Sequence, residues 1–381
     1  MYKKPGFETS DFTIPLRQSP RRIVIGLLAV FVVLSVIIAW RPHPEFRRKL
    51  PIQGTTNRSP AASSSRHADG RIDSVTNDTL GFSKIFVVGL AERSDKRDAF
   101  ALTSALTEFH VEFMDGVKGE DVHDKALPPG SSRQSLREVN WGSWRGHMNA
   151  IRRIVEEDLE TALIMEDDMD WDVRLKSQLK QVAEGARVVM PSGMKPSSPY
   201  GDGWDLLWLG HCGEIFPEVL PENQGKPVHP KYTLHNDETV PPLNKITGLV
   251  EFQKYPEFTR WVHVSGGPIC SFAYALSQRG ARKVLMDLSV DHLRAAFDNA
   301  LADFCRDGAS GNPDGLRAKC ISVTPPVFFH HRGKGTAAKD SDIESFDAAV
   351  RDKGTTENIV WSARNNIRNL LLGLEMESQF A

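Results

Sequence analysis

The chain has 381 residues, 40% of them hydrophobic and 25% charged, the composition of an ordinary globular protein with room for one large domain or two small ones. Its formal net charge is −2 and it carries no basic, aromatic-rich patch, so nothing supports a nucleic-acid partner.

The first feature in chain order is an uncharged run at residues 23–40, flanked by Arg21-Arg22 and Arg41. Its length is near the lower end of a bilayer span, which takes about 20 residues. It ends in Trp40-Arg41-Pro42, which suits an interface anchor better than a signal-peptide cleavage site. The run reads as an uncleaved signal anchor. Basic residues are nearly balanced on its two sides. Two glycosylation sequons, Asn57-Arg58-Ser59 and Asn77-Asp78-Thr79, both follow it and favour a luminal C-terminal side. The expected division is a cytosolic tail at 1–22, the anchor at 23–40 and a Ser, Pro and Gly rich flexible stem at 41–82. A catalytic domain at 83–335 and a C-terminal extension at 336–381 complete it.

Ile85-Phe86-Val87-Val88-Gly89-Leu90 predicts the first strand. Its exit opens a helix carrying Arg93, Lys96 and Arg97. Any of these could meet a diphosphate, or all could lie on a solvated face. Val111-Glu112-Phe113-Met114 predicts a second strand, with Asp115-Gly116 either receiving a ribose or making a plain turn. Trp141, Trp144, His147 and Ile151 fall on one helical face, where His147 is either a phosphate donor or a core histidine.

The short apolar run through Leu163-Ile164-Met165 passes directly into Glu166-Asp167-Asp168. This predicts a buried strand that delivers its acids at its C-terminal edge, where open α/β sheets bind ligands. Adjacent carboxylates repel, so a Mg²⁺ or Mn²⁺ ion holding a nucleotide diphosphate accounts for them better than a solvated turn does. Further on, the Trp204–Gly210 stretch predicts a strand that exits toward Cys212 and Glu214. Gly266-Gly267-Pro268 precedes another, and Phe297-Asp298-Asn299 opens a helix. A last strand ends in His330-His331-Arg332, and a histidine there could complete an oxygen and nitrogen metal shell. Cys305 and Cys320 could close a short loop; alternatively Cys212, Cys270, Cys305 and Cys320 are all free thiols.

Over residues 83–332 these pieces, in this order, resemble glycosyltransferase family 25, the lipooligosaccharide and collagen galactosyltransferases. Gly89-Leu90, Arg93, Asp95, Lys96 and Arg97 match the family's first block, with Gly89 where Asn is usual. Gly146-His147, followed by Ala162 to Asp168, matches its helix and acidic strand, with Gly146 where Ser is usual. Ala273-Tyr274-Ala275-Leu276-Ser277 and Asp298 match later blocks, while Asn299 departs from the usual Glu. His330-His331-Arg332 is similar to the family's fungal branch.

The resemblance implies an α/β, GT-A-like nucleotide-sugar-binding fold with a central, mostly parallel sheet, here preceded by one transmembrane helix. It implies a hexosyltransferase that moves a sugar, galactose by family, from a UDP-sugar to a glycan or glycoprotein hydroxyl with inversion. The expected metal ligands for Mn²⁺ or Mg²⁺ are Glu166, Asp168 and His330. Gly89, Leu90, Arg93, Arg97, Asp115, His147 and Asp167 would form the donor side. Asp298 is the first candidate for the general base and Glu214 the second. The expected location is the Golgi or endoplasmic-reticulum membrane, single-pass type II. Two alternatives stand: a non-catalytic membrane-anchored nucleotide-sugar- or carbohydrate-binding protein, and a metal-dependent phosphoesterase.

Overall fold

The computed structural model describes residues 71–343 and 349–380. The apolar run at 23–40 lies outside the described residues. Among those described, no helix is long and apolar enough to cross a membrane.

The first half builds β1 (Lys84–Gly89), α1 (Ser94–Leu106), β2 (Glu112–Asp115), α2 (Glu138–Glu156), β3 (Thr161–Glu166), β4 (Met169–Trp171), α3 (Leu175–Val189) and β5 (Leu206–Gly210). There follow β6 (Lys231–Leu234), β7 (Arg260–Val264), β8 (Ala273–Ser277), α4 (Gln278–Leu285), α5 (Phe297–Ser310), β9 (Cys320–Thr324) and β10 (Phe328–Arg332). Short pieces close the chain: β11 (Gly335–Thr336), β12 (Val350–Arg351), β13 (Thr355–Thr356) and α6 (Ile367–Leu372).

The main sheet has the order β2-β1-β3-β8-β5-β9-β7-β6. It is mixed. Pairs β1–β2, β1–β3 and β5–β9 run parallel, whereas β8 sits antiparallel between β3 and β5. β7 is antiparallel to both β9 and β6. This α/β arrangement fits a GT-A-like fold.

Alternation along the strands builds two cores. Val87, Leu163 and Met165 face one side, with Phe100 of α1 and Leu179, Val182 and Ala186 of α3. Phe86, Val88 and Ile164 face the other, against Trp141, Trp144, Met148 and Ile151 of α2. Each fully buried side chain of this size contributes roughly 1.5–3 kcal/mol. The two faces together explain why β1 and β3 read as unbroken apolar runs. They also fix both strand ends rigidly at the edge where the acids emerge.

Both domain boundaries shift. The stem expected to reach residue 82 gives way to folded structure by residue 72, because Val75, Leu80 and Phe82 are buried in the first core. Phe82 stacks on Tyr200 at 4.7 Å, and the Tyr200 hydroxyl donates to the Leu80 carbonyl at 2.8 Å. At the other end, the fold does not stop at residue 335. β13 pairs with β10, and Asp172 accepts the Trp361 amide at 3.0 Å.

All four cysteines pair, as Cys212–Cys270 and Cys305–Cys320, so the free-thiol alternative is set aside. The second bond ties α5 to β9, closing the loop anticipated from the sequence.

Candidate active site

β1 and β3 are in parallel register with Val88 opposite Glu166, so Glu166 stands at the C-terminal edge of the sheet. The chain then turns through Asp167-Asp168 into β4, which pairs antiparallel with β10 so that Met169 lies opposite His330. The turn and the histidine are thereby brought face to face. His330 Nε2 lies 3.2 Å from Glu166 Oε2 and 3.3 Å from Asp168 Oδ1. Since a carboxylate only accepts, Nε2 is the donor to Glu166.

Ligand atoms of Glu166, Asp168 and His330 all lie within 4.8 Å of one another. Asp168 Oδ1 is a buried oxygen that accepts no hydrogen bond. Two carboxylates and an imidazole, with an orphaned oxygen among them, fit a divalent cation of the Mn²⁺ or Mg²⁺ kind.

Lys96 supplies the local positive charge. Its Nζ lies 3.2 Å from Asp167 Oδ1, 3.3 Å from Asp168 Oδ2 and 3.2 Å from Asp342 Oδ2, on a side chain only 10% exposed. These carboxylates outweigh the burial penalty and raise the Lys96 pKa. Burial and the charge of Asp168 push Asp167 up to about 7. Burial opposes ionisation of Asp168 as well, but His330 and Lys96 hold its pKa below the ordinary value. Glu166 is likewise held low against its burial by His330. Environment therefore separates the adjacent acids: Asp168 and Glu166 are held below their ordinary values by His330, while burial and the charge of Asp168 raise Asp167.

Gly89 and Leu90 line the same cleft, of about 1010 Å³. A Cβ at Gly89 would fall 2.0 Å from Asp167 Oδ2, so the missing side chain is what makes room for that carboxyl. On the opposite wall, a Cβ at Gly142 would meet the Val117 carbonyl at 2.3 Å, and its absence lets α2 close on the exit of β2. His147, 2% exposed, is a core histidine that also borders the cleft. It stacks on Phe297 at 4.4 Å, and its Nδ1 lies 3.0 Å from the Tyr274 hydroxyl. Burial pushes its pKa down to about 4, so the ring is neutral. Its Nε2 lies 3.9 Å from Glu166 Oε1.

Not every expected residue joins the cluster. Arg93 is engaged by Asp95 at 2.9 Å and Asp342 at 2.6 Å. Arg97 pairs with Asp115 at 2.6 Å and donates to the Gly89 carbonyl at 3.0 Å. Asp115 is largely exposed beside it, and neither lines the cleft. Asp298 does line the cleft, in the first turn of α5. Glu214 does not: it is 1% exposed, and Oε1 accepts the amides of Ile215, Gly266 and Gly267. Burial pushes its pKa up to about 7.

Three contributors were not singled out from the sequence. Ser271 donates to Glu166 Oε1 at 2.9 Å. Asp342 meets both Arg93 and Lys96 at the cleft. Arg364 comes from the last segment of the chain: its Nη2 donates to the Asp167 carbonyl at 2.9 Å and its Nε to the Met169 carbonyl at 2.7 Å. Behind it, buried Asp170 accepts from the Arg364 amide, the Thr356 hydroxyl and the Ser362 hydroxyl. The acidic turn is thus held from the C-terminal side.

No protein-family model matches the chain. Among curated proteins, procollagen galactosyltransferase 2 of Mus musculus is 28% identical over 146 residues, 35% of this chain and 21% of that protein. Inactive glycosyltransferase 25 family member 3 of Homo sapiens is 24% identical over 217 residues, 54% of this chain and 29% of that protein. A glycosyltransferase 25 family member of Aedes aegypti is 24% identical over 150 residues, 36% of this chain and 23% of that protein. The matched segments cover less than a third of each of these relatives. The motif resemblance thus has its counterpart in curated proteins, and the chain is similar to the members of glycosyltransferase family 25.

Proposed function

We propose that the protein is a metal-dependent glycosyltransferase that moves galactose from a UDP-sugar to a hydroxyl of a glycan or glycoprotein, with inversion. The observation that carries this reading is the meeting of Glu166, Asp168 and His330 at the sheet edge, in one cleft with Asp298. Those three residues would hold Mn²⁺ or Mg²⁺, which when bound draws negative charge off the departing UDP. Lys96 holds the acidic turn in place and adds positive charge on the donor side. Asp298 takes the proton of the acceptor hydroxyl as that oxygen attacks the anomeric carbon. Release of UDP by the purified protein, measured with each UDP-sugar in the presence of Mn²⁺ and of a chelator, tests the proposal. Metal-dependent release with UDP-galactose is expected, and no release with any UDP-sugar overturns it.

A relative named inactive favours a second reading, a non-catalytic nucleotide-sugar- or carbohydrate-binding protein. Binding of UDP with Mn²⁺ and no turnover is its signature.

The same reading places the domain in the lumen of the Golgi or endoplasmic reticulum, behind a single type II anchor at residues 23–40. Two disulfides suit an oxidising compartment. Asn77 of the second sequon is exposed, and its Oδ1 accepts from the Thr79 amide and hydroxyl at 2.9 and 3.1 Å. Protease added to intact microsomes is expected to spare the folded region until detergent is present. Its digestion without detergent refutes the topology.

A further inference from the structure

Residues 212–214, leaving β5, grip three points of one loop. Cys212 is bonded to Cys270, Gly213 bridges Ile269, and Glu214 Oε1 accepts the amides of Gly266 and Gly267 at 3.2 and 2.9 Å. Within this loop Cys270 stands at φ +67°, a left-handed conformation that a non-glycine residue keeps only when its surroundings impose it. The disulfide anchors its side chain to Cys212. Trp208 Nε1 adds a hydrogen bond to the Cys270 carbonyl at 3.2 Å.

Cys270 and its neighbour Ser271 each present one group to the cleft. The Cys270 amide donates to Asp298 Oδ2 at 3.2 Å, and the hydroxyl of Ser271 donates to Glu166 Oε1 at 2.9 Å. Ser271 is 5% exposed and so cannot readily turn to water instead. By occupying Oε1 it leaves Oε2 directed at His330, 3.2 Å away. One loop therefore touches both the carboxylate assigned to the metal and the carboxylate assigned to the acceptor.

We propose that the disulfide-held Cys270 and Ser271 are positioning residues that set Glu166 and Asp298 relative to each other. The inference rests on the metal and base roles given to those carboxylates above. Groups that orient a ligating side chain typically change metal affinity or activity by about 10–100-fold when lost.

The test titrates the full chain with Mn²⁺ alone and follows the free aqueous ion by electron paramagnetic resonance. Ser271→Ala is expected to weaken Mn²⁺ binding about tenfold, within that range, and Ser271→Thr, which keeps the hydroxyl, to restore most of it. Wild-type affinity in Ser271→Ala, or no recovery in Ser271→Thr, overturns the role of Ser271. Cys212→Ala combined with Cys270→Ala is expected to reduce kcat beyond Ser271→Ala, since it also frees Asp298. A folded double variant with wild-type kcat overturns the role of the disulfide. If the double variant does not fold, the Ser271 pair decides the proposal. Wild-type protein that binds no Mn²⁺, or binds it unchanged after Asp168→Asn, defeats the metal reading itself and the inference with it.

Discussion

Asp168→Asn is expected to lower turnover on the order of 10³-fold, since Lewis-acid stabilisation is worth several kcal/mol and each 1.36 kcal/mol is a factor of ten. The substitution removes the ionised carboxyl whose Oδ1 lies beside His330 without a hydrogen bond of its own. Stability of the metal-free protein should fall modestly, because a carboxylate that His330 and Lys96 hold ionised is lost. Lys96 loses one carboxylate but keeps Asp167 and Asp342, and the crowding of like charges is relieved. Thermal unfolding with and without Mn²⁺ provides a readout independent of turnover. Ligand at a hundred times its Kd stabilises a fold by about 2.7 kcal/mol, and the variant should forfeit that gain. A severe loss of fold, or full residual activity, returns the acidic turn to a purely structural role.

Asp298→Asn is expected to lower kcat by about 10²–10⁴, the usual contribution of a general base, while UDP–Mn²⁺ affinity stays near wild type. The carboxylate lines the cleft from the first turn of α5. The Cys270 amide fixes one of its oxygens at 3.2 Å. Steady-state rates together with calorimetric UDP titration separate the possibilities. Loss of UDP affinity would make Asp298 a donor-site residue. A near-neutral Asp298→Asn beside a slow Glu214→Gln would move the base to Glu214, against its burial on backbone amides.

Much of the fold was legible where one physical cause dominated the local sequence. β1 and β3 are buried on both faces, so their apolar runs are continuous and the acids at the end of β3 stand out. The face of α2 could be read because Trp141, Trp144 and Ile151 repeat at helical spacing. His330 was marked by its place at a strand end, and the register of β4 with β10 explains its approach to the acidic turn.

The rest depended on tertiary placement. Arg93, Lys96 and Arg97 look alike in sequence; only the rotation of α1 decides that Lys96 meets the acids while Arg97 meets Asp115. Ser271 carries no mark of its role, because its partner Glu166 is 105 residues away in sequence. The segment beyond residue 335 has little periodicity, since it is held by hydrogen bonds to Asp170 and Asp172 together with scattered apolar side chains such as Ile359 and Ala363. Residues 72–82 hide three core side chains within a polar composition.

The clamp of Arg364 on the acidic turn also has a meaning in time. A ribosome delivers β3 and its carboxylates before it delivers Thr356, Ser362 and Arg364, the residues that brace the acidic turn. The sheet can assemble while the turn at Asp167 and Asp168 still lacks its last braces. The bracing of that turn is therefore completed only after Thr356, Ser362 and Arg364 have followed the sheet out.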